Sequence, residues 1–153
     1  MGSPSALDPK TQRRCGPWKG KLLMVDEDME DLQHYSATLS QLGYEVRTFA
    51  CYDEAADCLG QEVFDLVVVS QGTPNFEGRS VLARAIEKDR RNHVLILTHS
   101  VEIPCYLEAM QLGARDYVLK PLPHSEIAEL VARHLPYRSG SAGIGACGMP
   151  PFN

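Results

Sequence analysis

The sequence runs Phe64-Asp65-Leu66-Val67-Val68-Val69 through a strongly apolar segment and then reaches Ser70. A short apolar run bounded by polar residues is typical of a strand that is buried on both faces of a parallel sheet. The loop that follows contains Pro74 and ends at Gly78. This segment therefore predicts a central strand, with Ser70 at its carboxyl end.

Polar side chains also follow other predicted strands. The run 21–25 leads into Asp26, Glu27 and Asp28, the run 94–97 leads into Thr98, and the run 117–119 leads into Lys120 and Pro121. Open parallel sheets place their ligand sites in the crevice outside the carboxyl ends of the strands. We therefore expect these side chains to converge at one edge of the sheet: Asp26, Glu27, Ser70, Thr98 and Lys120.

Alternating strand and helix signals predict five βα units, with helices on both faces of a parallel sheet, in one α/β domain of residues 21–136. The predicted helices are 29–42, 52–59, 79–89, 103–112 and 124–135, and Gly43, Gly60 and Gly113 end the first, second and fourth. A further strand is predicted over 44–49. We expect the flanks, 1–20 and 137–153, to be flexible, the second being a Gly/Pro-rich tail or a linker cut short before an output domain.

The order of these motifs resembles the receiver domain of two-component response regulators, over about residues 20 to 136. The resemblance rests on Val25-Asp26-Glu27, the segment 70–78, Leu97-Thr98, Gly113-Ala114 and the segment 117–121. It implies a flavodoxin-like fold, a doubly wound parallel sheet of five strands. It also implies an acid pair at Asp26 and Glu27, switch residues at Thr98 and Tyr117, and a Lys-Pro pair at Lys120 and Pro121.

The sequence departs from that family at Ser70. Counted back from Pro74 and Gly78, Ser70 falls where a receiver carries the aspartate that accepts a phosphoryl group. Asp65 cannot substitute, because it lies at the start of the strand and each strand residue spans about 3.3 Å. A serine hydroxyl is a poor nucleophile unless a base removes its proton, and it cannot form an acyl phosphate. We therefore expect an atypical receiver that lacks the phosphoacceptor aspartate.

The acid pair predicts a pocket at this edge of the sheet, although such carboxylates could instead simply cap the first helix. With one carboxylate fewer than the family has, the ammonium group of Lys120 can balance Asp26 and Glu27. Because Mg²⁺ needs several oxygen ligands, we expect weak or no Mg²⁺ binding at this acid pair and no other cofactor. The alternative role of Thr98 is to cap the next turn, and that of Tyr117 is to be a half-buried strand aromatic.

Composition argues against several classes of protein. The net charge of −5 argues against a nucleic-acid-binding surface, and no apolar run approaches the roughly 18 residues that span a bilayer. The first twenty residues contain no apolar segment of the signal-peptide kind. The five cysteines lack CxxC spacing, which favours reduced thiols in the cytoplasm. The five dispersed histidines predict no metal site.

We expect a signalling module and not an enzyme. A triad of Ser70, His99 and Asp26 is disfavoured, because Ser70 lacks the Gly-x-Ser-x-Gly elbow of α/β hydrolases. By analogy with the family, the domain is expected to bind through its fourth helix, fifth strand and fifth helix. That face would include these residues if they are exposed: Ile103, Leu107, Met110, Tyr117 and Ile127. The expected partner is a protein: a second copy, a histidine kinase or a fused output domain, without direct contact to nucleic acid or membrane.

Two alternatives stay open. One is a conventional phosphorelay receiver that is switched by another residue or by a small ligand in the pocket. The other is a switch in which a Ser/Thr kinase modifies Ser70 and so installs about two negative charges near Lys120. The expected recess of the pocket argues against access by such a kinase.

Overall fold

The computed structural model describes residues 19–135, which form an α/β fold around one five-stranded sheet. In chain order the elements are β1 (Gly20–Val25), α1 (Met29–Gln41), β2 (Tyr44–Phe49), α2 (Tyr52–Gln61), β3 (Leu66–Ser70), α3 (Arg79–Lys88), β4 (Val94–Thr98), α4 (Ile103–Leu112), β5 (Asp116–Leu119) and α5 (His124–His134). The strands are parallel and lie in the order β2-β1-β3-β4-β5. The predicted flavodoxin-like fold is therefore confirmed.

Helices cover both faces of the sheet, and this is why its central strands β3 and β4 are apolar up to their last residues, Ser70 and Thr98. α2, α3 and α4 pack on one face through side chains such as Leu59, Leu82 and Ala109. α1 and α5 pack on the other face through Leu39 and Ile127. Every residue of β3 and of β4 is buried. Because all strands are parallel, their carboxyl ends meet at one edge, where the polar residues stand.

The first helix begins directly after the acidic turn because Asp28 caps it. Its Oδ1 accepts hydrogen bonds from the backbone N–H groups of Glu30 at 3.0 Å and Asp31 at 3.2 Å. Such a cap stabilises a helix by about 1 kcal/mol. At the other end, Gly43 follows the helix with φ of 104°, and Gly113 ends α4 with φ of 115°. Both positions need the left-handed conformation that glycine adopts without strain, so these two predicted helix ends are confirmed.

Two predicted boundaries were wrong by more than one residue. α2 does not end at Gly60 but continues to Gln61, because the backbone N–H of Glu62 donates to the carbonyl of Cys58 at 2.8 Å and extends the helical pattern. β3 begins at Leu66 and not two residues earlier. There the side chain of Asp65, and not its backbone carbonyl, accepts the hydrogen bond from the backbone N–H of Lys21 at 2.8 Å.

Most of the two predicted flexible flanks, and the last residue of the predicted domain, lie outside the described residues. Within residues 19–135, no helix has the length and apolar character that a membrane crossing requires. Three cysteines of this part of the chain are free thiols; Cys58 and Cys105 are buried, and Cys51 is exposed.

Candidate functional site

Asp26 lies at the carboxyl end of β1 with its side chain buried. The residue is 4 % exposed, and both carboxylate oxygens have partners. Oδ1 accepts a hydrogen bond from the backbone N–H of Asp28 at 2.9 Å, and Oδ2 accepts one from the ammonium group of Lys120 at 2.8 Å. Asp26 is therefore engaged on both oxygens by groups of the protein itself.

Lys120 follows β5 and is buried at the same edge of the sheet. Its ammonium group donates to Asp26 and also, at 2.9 Å, to Oδ2 of Asp31. Burial by itself lowers the pKa of Lys120, but the hydrogen bonds to Asp26 and Asp31 outweigh burial and raise it. For Asp31, burial raises the pKa, and the hydrogen bonds from Lys120 and His99 together lower it below its ordinary value. The three groups therefore form a charged cluster.

The structure gives Lys120 a second carboxylate that the sequence analysis did not assign. Glu27 is exposed, and the second ion pair of Lys120 is with Asp31. Asp31 lies in the first turn of α1, where the helix dipole also favours a carboxylate. The signal in the sequence was its spacing, because Asp31 stands four residues before Tyr35 and so lies on the buried face of the helix.

Ser70 ends β3 beside Asp26. The pairing of β1 with β3 aligns Val25 with Val69, so the residues that follow them are neighbours on adjacent strands. A Cβ on Gly78 would collide with the backbone carbonyl oxygen of Ser70, which explains the glycine there. Of the five side chains expected to converge, Glu27 is exposed, and the four that are buried lie at these strand ends: Asp26, Ser70, Thr98 and Lys120.

Tyr52, which was not predicted as a site residue, reaches into the same region. It is the first residue of α2, and its ring packs against the core beneath that helix. Its hydroxyl oxygen is buried and, among the described residues, has no hydrogen-bond partner. Burial and, after it, the charge of Glu27 raise the pKa of Tyr52. The nearby Ser70 hydroxyl tends to lower it, although the two hydroxyls do not have the geometry of a hydrogen bond. The sequence pattern indicated only that a helix begins at Tyr52, and nothing in it indicated a position near the site.

Thr98 ends β4 and forms its side-chain hydrogen bonds within the following turn. Its hydroxyl donates to the carbonyl of Ser100 at 2.8 Å and accepts from the backbone N–H of Ser100 at 3.1 Å. This is the capping role that the sequence analysis left as an alternative. The carbonyl of Thr98 accepts from the backbone N–H of Lys120 at 2.6 Å, and the peptide bond between Lys120 and Pro121 is cis. The hydrogen bond between Lys120 and Thr98 holds the ends of β4 and β5 together.

Tyr117 joins the end of β3 to the loop before α4. Its hydroxyl donates to Oε1 of Gln71 and accepts from the backbone N–H of Glu102 at 3.1 Å. Gln71 directly follows Ser70 and is 1 % exposed. Burial raises the pKa of Tyr117. Gln71 was not among the predicted site residues, because a polar residue at the start of a loop carries no sign that it will be buried.

The family resemblance implies a divalent cation at this edge of the sheet, and the residues present do not fit one. Mg²⁺ requires several oxygen ligands in near-octahedral geometry. Both oxygens of Asp26 are engaged, Glu27 is exposed, and Ser70 carries no charge. The buried hydroxyl of Tyr52 takes up further space beside Ser70.

A second group of metal-ligating atoms lies at the rim of the pocket. Ligand atoms of Asp28, Asp31 and His99 are within 4.8 Å of one another. Oδ2 of Asp31 is 2.7 Å from Nε2 of His99 and also accepts from Lys120, and Asp28 caps α1. Asp28, Asp31 and His99 therefore all take part in hydrogen bonds within the protein, and we describe them as a hydrogen-bond cluster. Because His99 pairs with Asp31, it does not form the triad with Ser70.

An exposed apolar surface lies on α4 and its flanks. We call the α4 face the set Val101, Ile103, Tyr106, Leu107, Met110 and Leu119, all of them exposed. Tyr117 is half-buried behind this surface, with its ring centroid 5.5 Å from that of Tyr106. Ile127 was expected to contribute if exposed, but it is 1 % exposed because it packs between α5 and the sheet. It is therefore a core residue.

Comparison with known proteins places the chain among signalling proteins. Residues 22–132 match the family model described as the response regulator receiver domain. The transcriptional regulatory protein QseB of Escherichia coli O157:H7 is 31 % identical over 108 residues, which are 71 % of this chain and 49 % of QseB. The response regulator protein FleR of Pseudomonas aeruginosa is 30 % identical over 132 residues, which are 86 % of this chain and 28 % of FleR. The chain thus spans less than half the length of these two relatives.

Solved structures of similar proteins share the fold. The chemotaxis protein CheY4 of Vibrio cholerae is 26 % identical, with a TM-score of 0.69 over 75 % of this chain and 98 % of the CheY4 chain. The BeF3-activated receiver domain of DrrB is 29 % identical, with a TM-score of 0.65 over 75 % of this chain and 96 % of that one. Since the family model matches residues 22–132, more than half of the sequence, the chain belongs to the response regulator receiver domain family of two-component signalling.

Proposed function

We propose that this chain is a receiver domain that signals without phosphorylation of an aspartate, and that it acts as a binding module and not as an enzyme. The observation that carries the proposal is the serine at the end of β3. Ser70 is buried beside Asp26, at the strand end where the resemblance places the accepting aspartate. A serine hydroxyl needs a base to become a nucleophile, and His99 pairs with Asp31 instead.

The charges around Ser70 support the same proposal. Lys120 is the buried cation at this edge, and it already pairs with Asp26 and Asp31. Two carboxylates facing one ammonium group leave the cluster with a net negative charge. A phosphoryl group would add about two further negative charges to this buried cluster. The same repulsion argues against modification of Ser70 by a kinase.

The α4 face is the surface through which we propose that the domain binds a protein. Ile103 is 62 % exposed and Leu107 is 51 % exposed, one helical turn apart. Contiguous exposed apolar side chains of this kind mark interaction sites. QseB and FleR extend well beyond the part that this chain matches. The proposed partners are therefore a histidine kinase, an output domain or a second copy of the domain, in the cytoplasm and without direct contact to nucleic acid or membrane.

Treatment with a small phosphoryl donor tests the central point. The full chain is incubated with acetyl phosphate and Mg²⁺, in parallel with a receiver that carries the acceptor aspartate, and both are analysed by intact-protein mass spectrometry. We expect a phosphoryl adduct on the control protein and no change in the mass of this chain. A hydroxylamine-sensitive phosphate on this chain would contradict the proposal, because it would reveal an acyl phosphate at another carboxylate.

Self-association tests the surface for the case of a second copy. We expect sedimentation equilibrium to show a dimer that Leu107→Glu disrupts, because a charge placed in an apolar interface is costly to desolvate. The matched control is Val63→Glu, since Val63 is 74 % exposed and lies outside the α4 face. A dimer that survives Leu107→Glu places the interface elsewhere, and a monomer at all concentrations leaves the kinase or the output domain as the partner.

A further inference from the structure

The buried hydroxyl of Tyr52 lies where the loop after β3 leaves the sheet. An ideal Cβ on Gly72 would be 3.2 Å from this hydroxyl oxygen. Gly72 has φ of 86°, a backbone conformation that already favours glycine. The Tyr52 ring therefore extends from the start of α2 to the loop that follows Ser70.

The surroundings of this hydroxyl are acidic. The Ser70 hydroxyl lies close enough to influence it, but no described residue has the geometry of a hydrogen bond with it. Burial and the carboxylates of Glu27, Asp26 and Glu77 raise the pKa of Tyr52, so the phenol keeps its proton. A neutral phenol is a hydrogen-bond donor. A buried donor without an acceptor is unfavourable and gains from any anionic oxygen that comes within reach.

A carboxylate introduced at position 70 would lie near this donor, because the Ser70 side chain already influences the Tyr52 hydroxyl. A hydrogen bond to an ionised oxygen is about twice as strong as one between neutral groups. A cation bound through that carboxylate would compete with the Tyr52 hydroxyl for its oxygens, so the new hydrogen bond would weaken cation binding. The ring would also occupy space that a hydrated divalent cation needs.

We propose that the Tyr52 side chain closes the pocket beside Ser70, so that replacing Ser70 by aspartate alone restores neither divalent-cation binding nor phosphorylation. This inference rests on the proposed function in one respect, the placement of the lost acceptor at Ser70. Two independent changes then separate this chain from a receiver that can be phosphorylated. One is the missing carboxylate, and the other is the ring that fills the pocket.

Binding of Mn²⁺ to the full chain tests the inference. Free Mn²⁺ is measured by electron paramagnetic resonance for Ser70→Asp and for the double variant Ser70→Asp/Tyr52→Ala. We expect the double variant to bind Mn²⁺ at least about tenfold more tightly, the equivalent of about one hydrogen bond to a charged group. With acetyl phosphate and Mg²⁺, we expect the double variant to gain a phosphoryl group at least about tenfold faster than Ser70→Asp.

Two further variants keep the result interpretable. In the Ser70→Asp background, Gln61→Ala changes an exposed residue of the same helix and is expected to bind Mn²⁺ as weakly as Ser70→Asp alone. Tyr52→Leu replaces Tyr52→Ala if circular dichroism shows that the alanine variant is unfolded, because leucine keeps an apolar contact with the core and lacks the reach of the ring.

The inference is overturned if Ser70→Asp binds Mn²⁺ as tightly as the folded double variant, or if the double variant is no better than Ser70→Asp. These outcomes leave the proposed function untouched. The proposed function fails on a different result, the gain of an acyl phosphate by the unmodified chain.

Discussion

Replacement of Lys120 by methionine is expected to destabilise the domain more than replacement of either carboxylate partner. Methionine preserves most of the volume of the lysine stem and removes the charge. The lysine side chain is 1 % exposed and that of Asp26 is 6 % exposed, so the variant leaves a buried carboxylate without its cation. Loss of one member of a buried pair costs about 3 to 5 kcal/mol. The Asp31 side chain is 20 % exposed and keeps His99 as a partner, so its loss of Lys120 adds at most about 1 kcal/mol to the cost of this variant.

The two carboxylates are expected to differ from each other. Asp31→Asn leaves Lys120 paired with Asp26 and is expected to cost about 1 kcal/mol. Asp26→Asn leaves the buried ammonium group with the less buried partner and is expected to cost about 2 to 3 kcal/mol. In the double variant Lys120→Met/Asp26→Asn no buried carboxylate is stranded. Its loss of stability is therefore expected to be smaller than the sum of the two single losses.

Urea denaturation followed by circular dichroism measures these differences, provided that the slope of unfolding free energy with urea is the same for all variants. A cost below about 1 kcal/mol for Lys120→Met, the value of an exposed ion pair, would contradict the expected effect of burial. A larger loss for Asp31→Asn than for Asp26→Asn would contradict it as well, because the ranking follows from burial.

Three further predictions concern other parts of the same edge. Tyr52→Phe is expected to leave stability unchanged or raise it by about 1 kcal/mol, because the lost hydroxyl is buried without a partner; a drop in melting temperature would show that it has one. Gly78→Ala is expected to lower the free energy of unfolding by about 1 to 3 kcal/mol, since its Cβ would collide with the backbone carbonyl of Ser70. The matched control is Gly60→Ala, whose Cβ would have only the flexible Arg84 guanidinium 3.4 Å away. In urea denaturation this helical change is expected to raise the free energy of unfolding by about 1 kcal/mol. Because the pKa of Asp31 is lower in the folded state than its ordinary value of 3.8, its ionised side chain stabilises the fold at pH values above 3.8. This stabilisation is lost as the pH falls through the pKa of the folded state. Asp31→Asn is therefore expected to make the free energy of unfolding depend less on pH in the acid range, and an unchanged dependence would contradict this.

Local patterns predicted the architecture well. The βα alternation and the polar residues at the strand ends were sufficient for the fold and for the burial of Lys120 beside Asp26. The predicted start of β3 was wrong near Asp65, whose side chain bonds to the backbone of Lys21, and the predicted end of α2 was wrong because the helix continues past Gly60. A glycine within a helix costs about 1 kcal/mol, which a helix anchored by its apolar face can tolerate.

The details of the pocket could not be predicted in the same way. Asp31 and Lys120 are 89 positions apart in the chain, and Tyr117 and Gln71 are 46 positions apart. No local pattern encodes such contacts, because they depend on the relative placement of elements that meet only in the folded sheet. The same reason explains why Ile127, apolar and near the expected binding face, proved to be a core residue.

The amino-acid sequence was enough to predict that strands and helices alternate, that the third strand ends in a serine, and that acidic, hydroxyl and lysine residues follow the first, fourth and fifth strands. The parallel sheet follows from the alternation, because the helix after each strand carries the chain back to the end of the sheet from which the next strand starts in the same direction. The folded structure was needed to show that Asp31 is the second carboxylate paired with Lys120, that the Tyr52 side chain reaches Ser70, and which apolar side chains of α4 remain exposed. Each of these depends on how side chains from distant segments fill one shared volume, and close packing lets only one arrangement do so.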